Sequence, residues 1–198
     1  MEQKSLRRRL AALLLMLCLL AAGALPALAT SANIRLVDAS GNPATGTIRV
    51  ALYDSATEKA LSGGQLTLYR VAEVKRKNGD LSFEYCGDFY GCGIALGDLT
   101  DSTLASRLEA KLPARAAGTT HKISEQGIVS FDALPLGLYL VVQTENSKGY
   151  EAINSFLVSL PMADESGWLY TVDATPKVGA PTQEVTPPEP ETPSTPSE

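Results

Sequence analysis

Few side chains in this sequence have the chemistry for acid-base or nucleophilic catalysis. A hydrolase of the Ser-His-Asp or Cys-His type needs an imidazole to move a proton, and the chain has one histidine, His121. It lies in the polar segment TTHKIS, and no GxSxG nucleophile signature accompanies it. Nothing in the placement of the carboxylates singles out the pair that glycoside hydrolysis requires. We therefore expect an exposed His121 in a loop or at a strand edge, and a protein that is not an enzyme.

The cysteines Cys86 and Cys92, in the segment YCGDFYGC, are spaced like a disulfide or like half of a metal site. A structural zinc site needs four nitrogen or sulfur ligands, and the sequence has neither a second cysteine pair nor a second histidine to complete it. We therefore expect no metal and no cofactor. A disulfide that closes so short a ring would contribute roughly 2 kcal/mol before strain is subtracted. The sequence leaves a disulfide and two free thiols as open alternatives.

The first 29 residues have the order of a secretory signal peptide. Basic residues from Lys4 to Arg9 precede an apolar run from Leu10 to Leu25, and PALA ends at Ala29. The apolar run is shorter than the roughly 20 residues that a membrane-spanning helix needs. We expect cleavage after Ala29 and no membrane span afterwards, which predicts a protein that is secreted or held at the cell surface.

Cleavage at that position makes the protein strongly acidic. It removes four basic residues and one acidic residue, which leaves 13 Lys and Arg against 21 Asp and Glu and a formal charge of −8. A surface with this charge repels phosphate groups. We therefore expect neither nucleic acid nor anionic lipid as a partner.

Residues 30–177 have the pattern of a β protein. IRVALYD (48–54) alternates apolar and other side chains, whereas QLTLYRVAEV (65–74) has apolar side chains on both faces, as a strand buried on both sides would. Gly63 and Gly64 predict a turn before that strand, and Asn78-Gly79 predicts a hairpin after it. Further strands are predicted at GIVSF (127–131), GLYLVVQ (137–143), INSFLVSL (153–160) and Trp168–Val172.

The sequence also predicts one helix within the β domain and a disordered segment after it. In DSTLASRLEAKL (101–112) leucines recur every fourth residue, Asp101 can cap the start and Pro113 stops the helix. Many short strands with one inserted helix favour a β-sandwich. Residues 178–198 hold six prolines and four glutamates but no Lys or Arg, which predicts a disordered acidic spacer. The expected regions are thus 1–29, 30–177 and 178–198.

Four segments give the chain a resemblance to a known family: GQLTLYRVAEV, GIVSFDALPLGLYLVVQT, FLVSLPM and WLYTVDATPK. From about Gly46 to Lys177 the chain resembles the SpaA-type fimbrial subunits of Gram-positive bacteria, in particular their N-terminal prealbumin-like domain. The resemblance implies an all-β, prealbumin-like or immunoglobulin-like sandwich. It also implies a structural or adhesive protein at the cell surface or cell wall, with other pilin subunits as partners.

The resemblance further implies a site of covalent attachment. In the family, the lysine of a Trp-Val-Pro-Lys motif is the nucleophile that a pilin sortase joins to the C-terminal threonine of the next subunit. Trp168, Val172 and Pro176 fit that motif and make Lys177 the candidate acceptor. The sequence departs from the motif at Ala174, Thr175 and Val178. The alternative is an exposed lysine that closes the last strand.

Two further expectations follow from the same comparison. The family's sorting signal, an LPxTG-like motif, is not found in this sequence, so the chain is either truncated before it or secreted without its own anchor. Many such domains carry an internal Lys-Asn isopeptide bond promoted by a buried acid. Gln143 stands where the acid would be, and Leu52 or a neighbour stands where the lysine would be. We expect that no internal isopeptide bond forms.

A second class of function remains open from the residues. Tyr85, Phe89 and Tyr90 lie in and beside the segment DFYGCG, and aromatic rings stack on sugars as well as in protein cores. The alternative to a pilin-like subunit is therefore a secreted, non-enzymatic module that binds a glycan or a host matrix protein.

Overall fold

The computed structural model describes residues 34–54, 56–77, 80–165, 167–176 and 178. The proposed signal peptide and all but the first residue of the proposed spacer lie outside these residues. Ten strands are present in the described part: β1 Thr45–Ala51, β2 Gln65–Lys77, β3 Asp80–Tyr85, β4 Gly118–Lys122, β5 Ile128–Pro135, β6 Gly137–Glu145, β7 Phe156–Leu160, β8 Met162–Asp164, β9 Gly167–Leu169 and β10 Thr171–Ala174. One helix, α1, spans Leu104–Glu109, and a 3₁₀ turn spans Gly87–Phe89.

The strands form two main sheets. The first has the order β10-β1-β5, in which β1 and β10 are parallel and β1 and β5 are antiparallel. The second has the order β3-β2-β6-β7 and is antiparallel, and β4 also pairs with the first half of β2. The small hairpin of β8 and β9 connects β7 to β10. β7 and β10 are therefore edge strands, one in each main sheet.

The larger of two hydrophobic cores lies between the main sheets. Residues two apart on one strand point to the same side, and the buried members of each strand follow that spacing. They include Ile48 and Val50 on β1, Leu66 and Leu68 on β2, and Tyr139 and Val141 on β6. The alternation predicted for the first strand thus places its apolar side chains in the core.

A second core covers the other face of the second sheet. Val71 on β2 and Leu138 and Leu140 on β6 are buried there against the helix and the 3₁₀ turn. Those elements contribute Phe89, Leu104 and Leu108, each at most 1% exposed. β2 is therefore buried on both faces, as predicted. The predicted β-sandwich with one short inserted helix is confirmed.

The helix is shorter than the predicted span of 101–112. The carboxylate of Asp101 accepts hydrogen bonds from the backbone N–H and the hydroxyl of Thr103, which makes a turn before the helix begins at Leu104. At the other end, the N–H of Lys111 donates to the carbonyl of Leu108 three residues back, a tighter bond than the α-helical one. No helix in the described part of the chain is long and apolar enough to cross a membrane.

Several strands differ in extent from the predicted segments. The predicted strand Trp168–Val172 is two strands, because the chain turns at Tyr170, whose hydroxyl hydrogen-bonds the backbone of Arg35. The predicted strand 153–160 begins at Phe156. β4 was not predicted, since all five of its residues are exposed and it has no apolar alternation. Asn78 and Gly79 lie outside the described residues, but Lys77 and Asp80 on either side of them pair as in a hairpin.

Candidate functional site

The residues of the candidate sortase motif lie along the last part of the domain. Trp168 is half-buried on β9, Val172 is 2% exposed in the core on β10, and Pro176 is half-buried two residues after β10 ends. Lys177 itself lies outside the described residues. Its neighbours Pro176 and Val178 are described, and the apolar side chain of Val178 packs against the larger core.

β10 is held against β1 by a close parallel pairing. Val172 lies opposite Ile48, and the N–H of Thr47 donates to the carbonyl of Tyr170 at 2.8 Å. Gly46 makes this approach possible, because a Cβ atom at that position would lie 2.3 Å from the same Tyr170 carbonyl oxygen. The strand that leads to Lys177 is thus fixed by backbone contacts and by a buried valine.

Tyr170 also ties the first described residues to this strand. Its hydroxyl accepts a hydrogen bond from the N–H of Arg35 at 2.6 Å and donates one to the carbonyl of Arg35 at 2.9 Å. The guanidinium of Arg35 lies 5.4 Å from the centre of the Tyr170 ring, within the range of a cation–π contact. The chain before β1 therefore packs beside the start of β10.

A surface groove begins beside the end of β10; we call it the 154–156 groove. It consists of three depressions of about 350, 380 and 400 Å³, and Asn154 and Ser155 line all three. Ala174, Thr175 and Pro176 form one end. Residues of the segment 99–109, which includes α1, line the other two depressions. Pro176, the residue before Lys177 in the sequence, is thus part of the wall at this end of the groove.

The floor of the 154–156 groove is an irregular segment fixed by a buried amide. The side-chain oxygen of Gln143 accepts a hydrogen bond from the N–H of Ile153 at 2.9 Å, and Gln143 is 9% exposed. This bond joins β6 to the segment before β7, which starts at Phe156 and not at Ile153. The hydroxyl oxygen of Ser155 is buried and has no hydrogen-bond partner among the described residues.

The 154–156 groove was not predicted from the sequence. Asn154 and Ser155 stood inside a predicted strand, and the polar pair before the apolar run FLVSL was the one available signal of irregular backbone there. The resemblance puts Gln143 in the place of a buried acid, whereas its hydrogen bond from the N–H of Ile153, ten residues away, is seen only in the structure. Leu52, at the place compared with the family lysine, is fully buried.

The two cysteines are free thiols in this structure. The thiol of Cys86 points to the carbonyl of Arg70, with 3.8 Å from sulfur to oxygen, and burial raises the pKa of Cys86 above its ordinary value. Cys92 packs at the edge of the second core. An oxidised Cys86–Cys92 pair stays a prediction.

The three aromatic residues near these cysteines have different environments. Phe89 is 1% exposed and belongs to the second core, so its ring is not available to a ligand. Tyr85 is half-buried, and burial raises the pKa of its hydroxyl. Tyr90 is 84% exposed. Of the three rings that the sequence analysis put forward for a sugar, Tyr90 has the surface to stack on one.

His121 lies on the exposed strand β4, which confirms its expected place at a strand edge. Its ring stacks on Phe131 with 4.7 Å between ring centres, and its Nδ1 is 2.7 Å from the carbonyl oxygen of Ser130. These contacts join an edge of the second sheet to β5 of the first sheet. Across the described ranges of the chain, no three His, Cys, Asp or Glu residues lie together in a group that could hold a metal ion.

No protein-family model and no curated protein matches the sequence. The structure is similar to that of the full-length major pilin SpaD from Corynebacterium diphtheriae, with a TM-score of 0.48 and 23% identity over 74% of this chain and 31% of that chain. It is similar to the C. diphtheriae major pilin SpaA, with a TM-score of 0.43, 27% identity and coverage of 69% and 31%. A third is the pilus 2b backbone protein of group B streptococcus, with a TM-score of 0.44, 17% identity and coverage of 72% and 43%. The chain thus spans less than half the length of each of these pilus proteins.

Proposed function

We propose that this chain is a structural subunit of a pilus-like fibre on the surface of a Gram-positive bacterium, exported by residues 1–29 and joined to another subunit through Lys177. The observation that carries the proposal is the position of the last strand. β10 is fixed by its pairing with β1 and ends at Ala174, and Pro176, the residue before Lys177, lines the 154–156 groove. We infer that Lys177, the next residue after Pro176, is presented beside this groove.

The proposed reaction is a transfer of an acyl group catalysed by a sortase. The amide bond that follows the threonine of an LPxTG-like signal in the donor subunit breaks. A new amide bond forms between the threonine carbonyl carbon and Nζ of Lys177, and the segment after the threonine leaves as a free amine. In this reaction the chain supplies the nucleophile and the surface around it, while the sortase supplies the catalysis.

The rest of the molecule is consistent with a structural role. The two cores and the paired sheets give a stable domain, and His121 is engaged with Phe131 and Ser130 and not with a nucleophile. The acidic, proline-rich segment after Val178 suits a spacer that holds the domain away from its neighbour. We therefore propose an extracellular, non-enzymatic subunit with other pilin subunits and a pilin sortase as partners.

The test is a transfer assay with the protein beginning at residue 30, an active pilin sortase and a fluorescent LPxTG-bearing peptide. We expect one labelled product from the wild type, none from Lys177→Ala, and an undiminished amount from the control Lys148→Ala, which changes an exposed lysine elsewhere. Absence of a product from the wild type, while the sortase modifies a known acceptor, would contradict the proposal.

A glycan- or matrix-binding module is the second candidate, because Tyr90 is 84% exposed beside a loop with two glycines. Large exposed aromatic side chains are often contact residues. Retention of the wild type on immobilised cell-wall glycan or host matrix, lost in Tyr90→Ala, would favour this candidate. Equal retention of the two proteins would count against it.

A further inference from the structure

We propose that the acidic, proline-rich segment 179–198 folds back onto its own domain and binds in a surface depression at the start of β10. This depression, which we call the Tyr170 pocket, has a volume of about 250 Å³. Its walls include Arg35, Val37 and Pro43 from the chain before β1, and Tyr170 just before β10. It thus lies at the end of β10 remote from the 154–156 groove. The inference goes beyond the proposed function, because it does not require Lys177 to be an acceptor.

The Tyr170 pocket offers apolar surface to proline side chains. Val37 is 53% exposed, Pro43 is exposed and Tyr170 is half-buried. Proline-rich segments bind aromatic-lined grooves because their polyproline II helix forms in advance and loses little conformational entropy on binding. The segment 179–198 has six prolines, three of them in PPEPE (187–191). Its composition therefore matches the apolar walls of the pocket.

Contacts within the domain fix the walls of the pocket before any segment binds. The hydroxyl of Tyr170 hydrogen-bonds both the N–H and the carbonyl of Arg35. Val37 pairs with Pro43 as an isolated β-bridge. A site that is already formed avoids the free-energy cost of ordering its own side chains and loops when it binds.

The charge of the pocket is opposite to that of the segment. The guanidinium of Arg35 lies 5.4 Å from the centre of the Tyr170 ring, and that of Arg76 donates to the carbonyl of Ile34 at 3.2 Å. Neither arginine belongs to one of the ion pairs found among the described residues. The segment 179–198 carries four glutamates and no Lys or Arg. Its carboxylates can therefore pair with guanidinium groups that have no acidic partner in the described part of the domain.

The acidic groups on the surface favour the Tyr170 pocket over the 154–156 groove. In the pocket lining, the carboxylate of Asp38 already accepts hydrogen bonds from the N–H groups of Ser40 and Asn42 at 2.8 and 2.9 Å. The groove is lined by both Asp101 and Glu109. Like charges therefore oppose binding of the acidic segment in the groove more than in the pocket.

The segment is long enough to reach the pocket of its own domain. Val178 is eight residues after Tyr170, so the two lie at most about 29 Å apart. Glu189 is eleven residues after Val178, and a polyproline II chain of that length spans about 34 Å. A short tether gives an effective concentration on the order of millimolar. The segment of the same chain therefore has the advantage over that of a second copy.

This contact makes the segment a spacer with two lengths. When it is bound, the segment lies folded back beside β10. When it is released, its 20 residues extend to about 60 Å in the polyproline II conformation. Because the ion pairs are at the surface, salt screens them. High ionic strength therefore favours the released, longer form.

The experiment uses the chain 30–198 with the photo-crosslinking amino acid benzoylphenylalanine in place of Pro188. In buffer of low ionic strength we expect crosslinks to residues 35–45 and 170 within the monomer. Arg35→Ala should lower the yield of these crosslinks by about three- to fivefold, as for the loss of a surface ion pair. It leaves the backbone bonds of residue 35 to Tyr170 in place. The control Arg115→Ala changes an exposed arginine elsewhere and should match the wild type.

A second variant places the change outside the domain, so that its result does not depend on the folding of Arg35→Ala. Glu189→Gln combined with Glu191→Gln should give the same loss of crosslinks, and so should an increase of the salt concentration to about 1 M. Yields that are unchanged in both variants, or crosslinks confined to other surfaces, would overturn the inference. Crosslinks found only in dimers would also overturn it, since they would place the segment on a second copy.

Discussion

At the scale of single residues, Gln143 has a structural role at the position that the resemblance compares with a buried acid. Its side-chain oxygen accepts the N–H of Ile153 inside the fold, which fixes the floor of the 154–156 groove. The position is buried. The N–H of Ile153 would therefore have no water molecule as a partner if the Gln143 side chain were removed. A neutral amide in this place also lacks the proton of the acid that promotes isopeptide formation.

We expect Gln143→Met to lower the free energy of unfolding by about 1–3 kcal/mol, the cost of leaving a buried N–H without a partner. Urea denaturation measures the change. The control Gln65→Met removes a partly exposed glutamine on β2 that donates to Glu145, and it should cost less than about 1 kcal/mol. Equal losses in the two variants would show that the Gln143–Ile153 bond has no special weight.

Tyr139 makes the fold sensitive to alkaline pH. Burial raises the pKa of Tyr139 to about 12, an effect that Arg70 partly offsets, and the hydroxyl donates to the carbonyl of Pro135. The folded state favours the neutral form of Tyr139. The contribution of this side chain to the free energy of unfolding is therefore complete below the ordinary tyrosine pKa of about 10. It is lost as pH rises from about 10 to about 12.

The variant Tyr139→Phe tests this dependence. Near neutral pH it should be less stable than the wild type by about 1 kcal/mol, for the lost hydrogen bond. From about pH 10 upward the free energy of unfolding of the wild type should fall by up to roughly 2 kcal/mol, whereas that of the variant should not. The difference in stability between the two proteins should therefore shrink or reverse. Urea midpoints at about pH 8 and about pH 11 measure it. A constant difference between the two proteins would contradict the assignment to Tyr139.

At the scale of secondary structure elements, the parallel pairing of β1 with β10 positions the end of the domain. Gly46→Ala is expected to destabilise the protein by about 1–3 kcal/mol, because the new Cβ would meet the backbone oxygen of Tyr170 at 2.3 Å. Thermal unfolding measures the loss. Gly97→Ala is the matched control, since a Cβ at Gly97 has open space around it. Equal melting temperatures for the two variants would contradict the close β1–β10 pairing.

The elements with strong local patterns could be predicted, and those made by side-chain contacts could not. The alternation of apolar residues in 48–54 reflects a strand buried on one face, and the apolar run in β2 reflects a strand buried on both faces. Both patterns are visible in the sequence because burial requires apolar side chains. β4 has no such pattern, because its five residues are exposed and it is held by its hydrogen bonds to β2. The break at Tyr170 and the late start of β7 coincide with hydrogen bonds to residues distant in the sequence, Arg35 in the first case and Gln143 in the second.

At the scale of the whole molecule, the candidate site combines segments that are far apart in sequence. Residues near 99–109, 152–157 and 174–176 meet at one groove. The segment 174–176 was predicted to be part of a site, because the sequence there resembles a pilin motif. The segment 99–109 was predicted to contain a helix but no part of a site. No pattern in the sequence indicates which surface a short helix will lie beside.

The intact mass of the secreted protein tests two further expectations for the whole chain. We expect a mass that corresponds to a chain beginning at Thr30, with no loss of ammonia, because the resemblance puts Gln143 in the place of the acid, and Leu52 or a neighbour in the place of the lysine, of an internal isopeptide bond. Mass spectrometry of the protein exported from a Gram-positive host gives both results. A mass lower by one ammonia and not explained at the N-terminus would contradict the absence of the internal bond. A retained residue 1–29 segment would contradict cleavage.

Fragmentation mass spectrometry of the sortase product shows whether this domain is joined to a partner at one position. Residues 30–177 contain seven lysines, and each is a potential acceptor for the transferred threonine. We expect a branched peptide at Lys177 alone, three residues after the end of β10. Branches distributed over several lysines, or a single branch at another lysine, would contradict it.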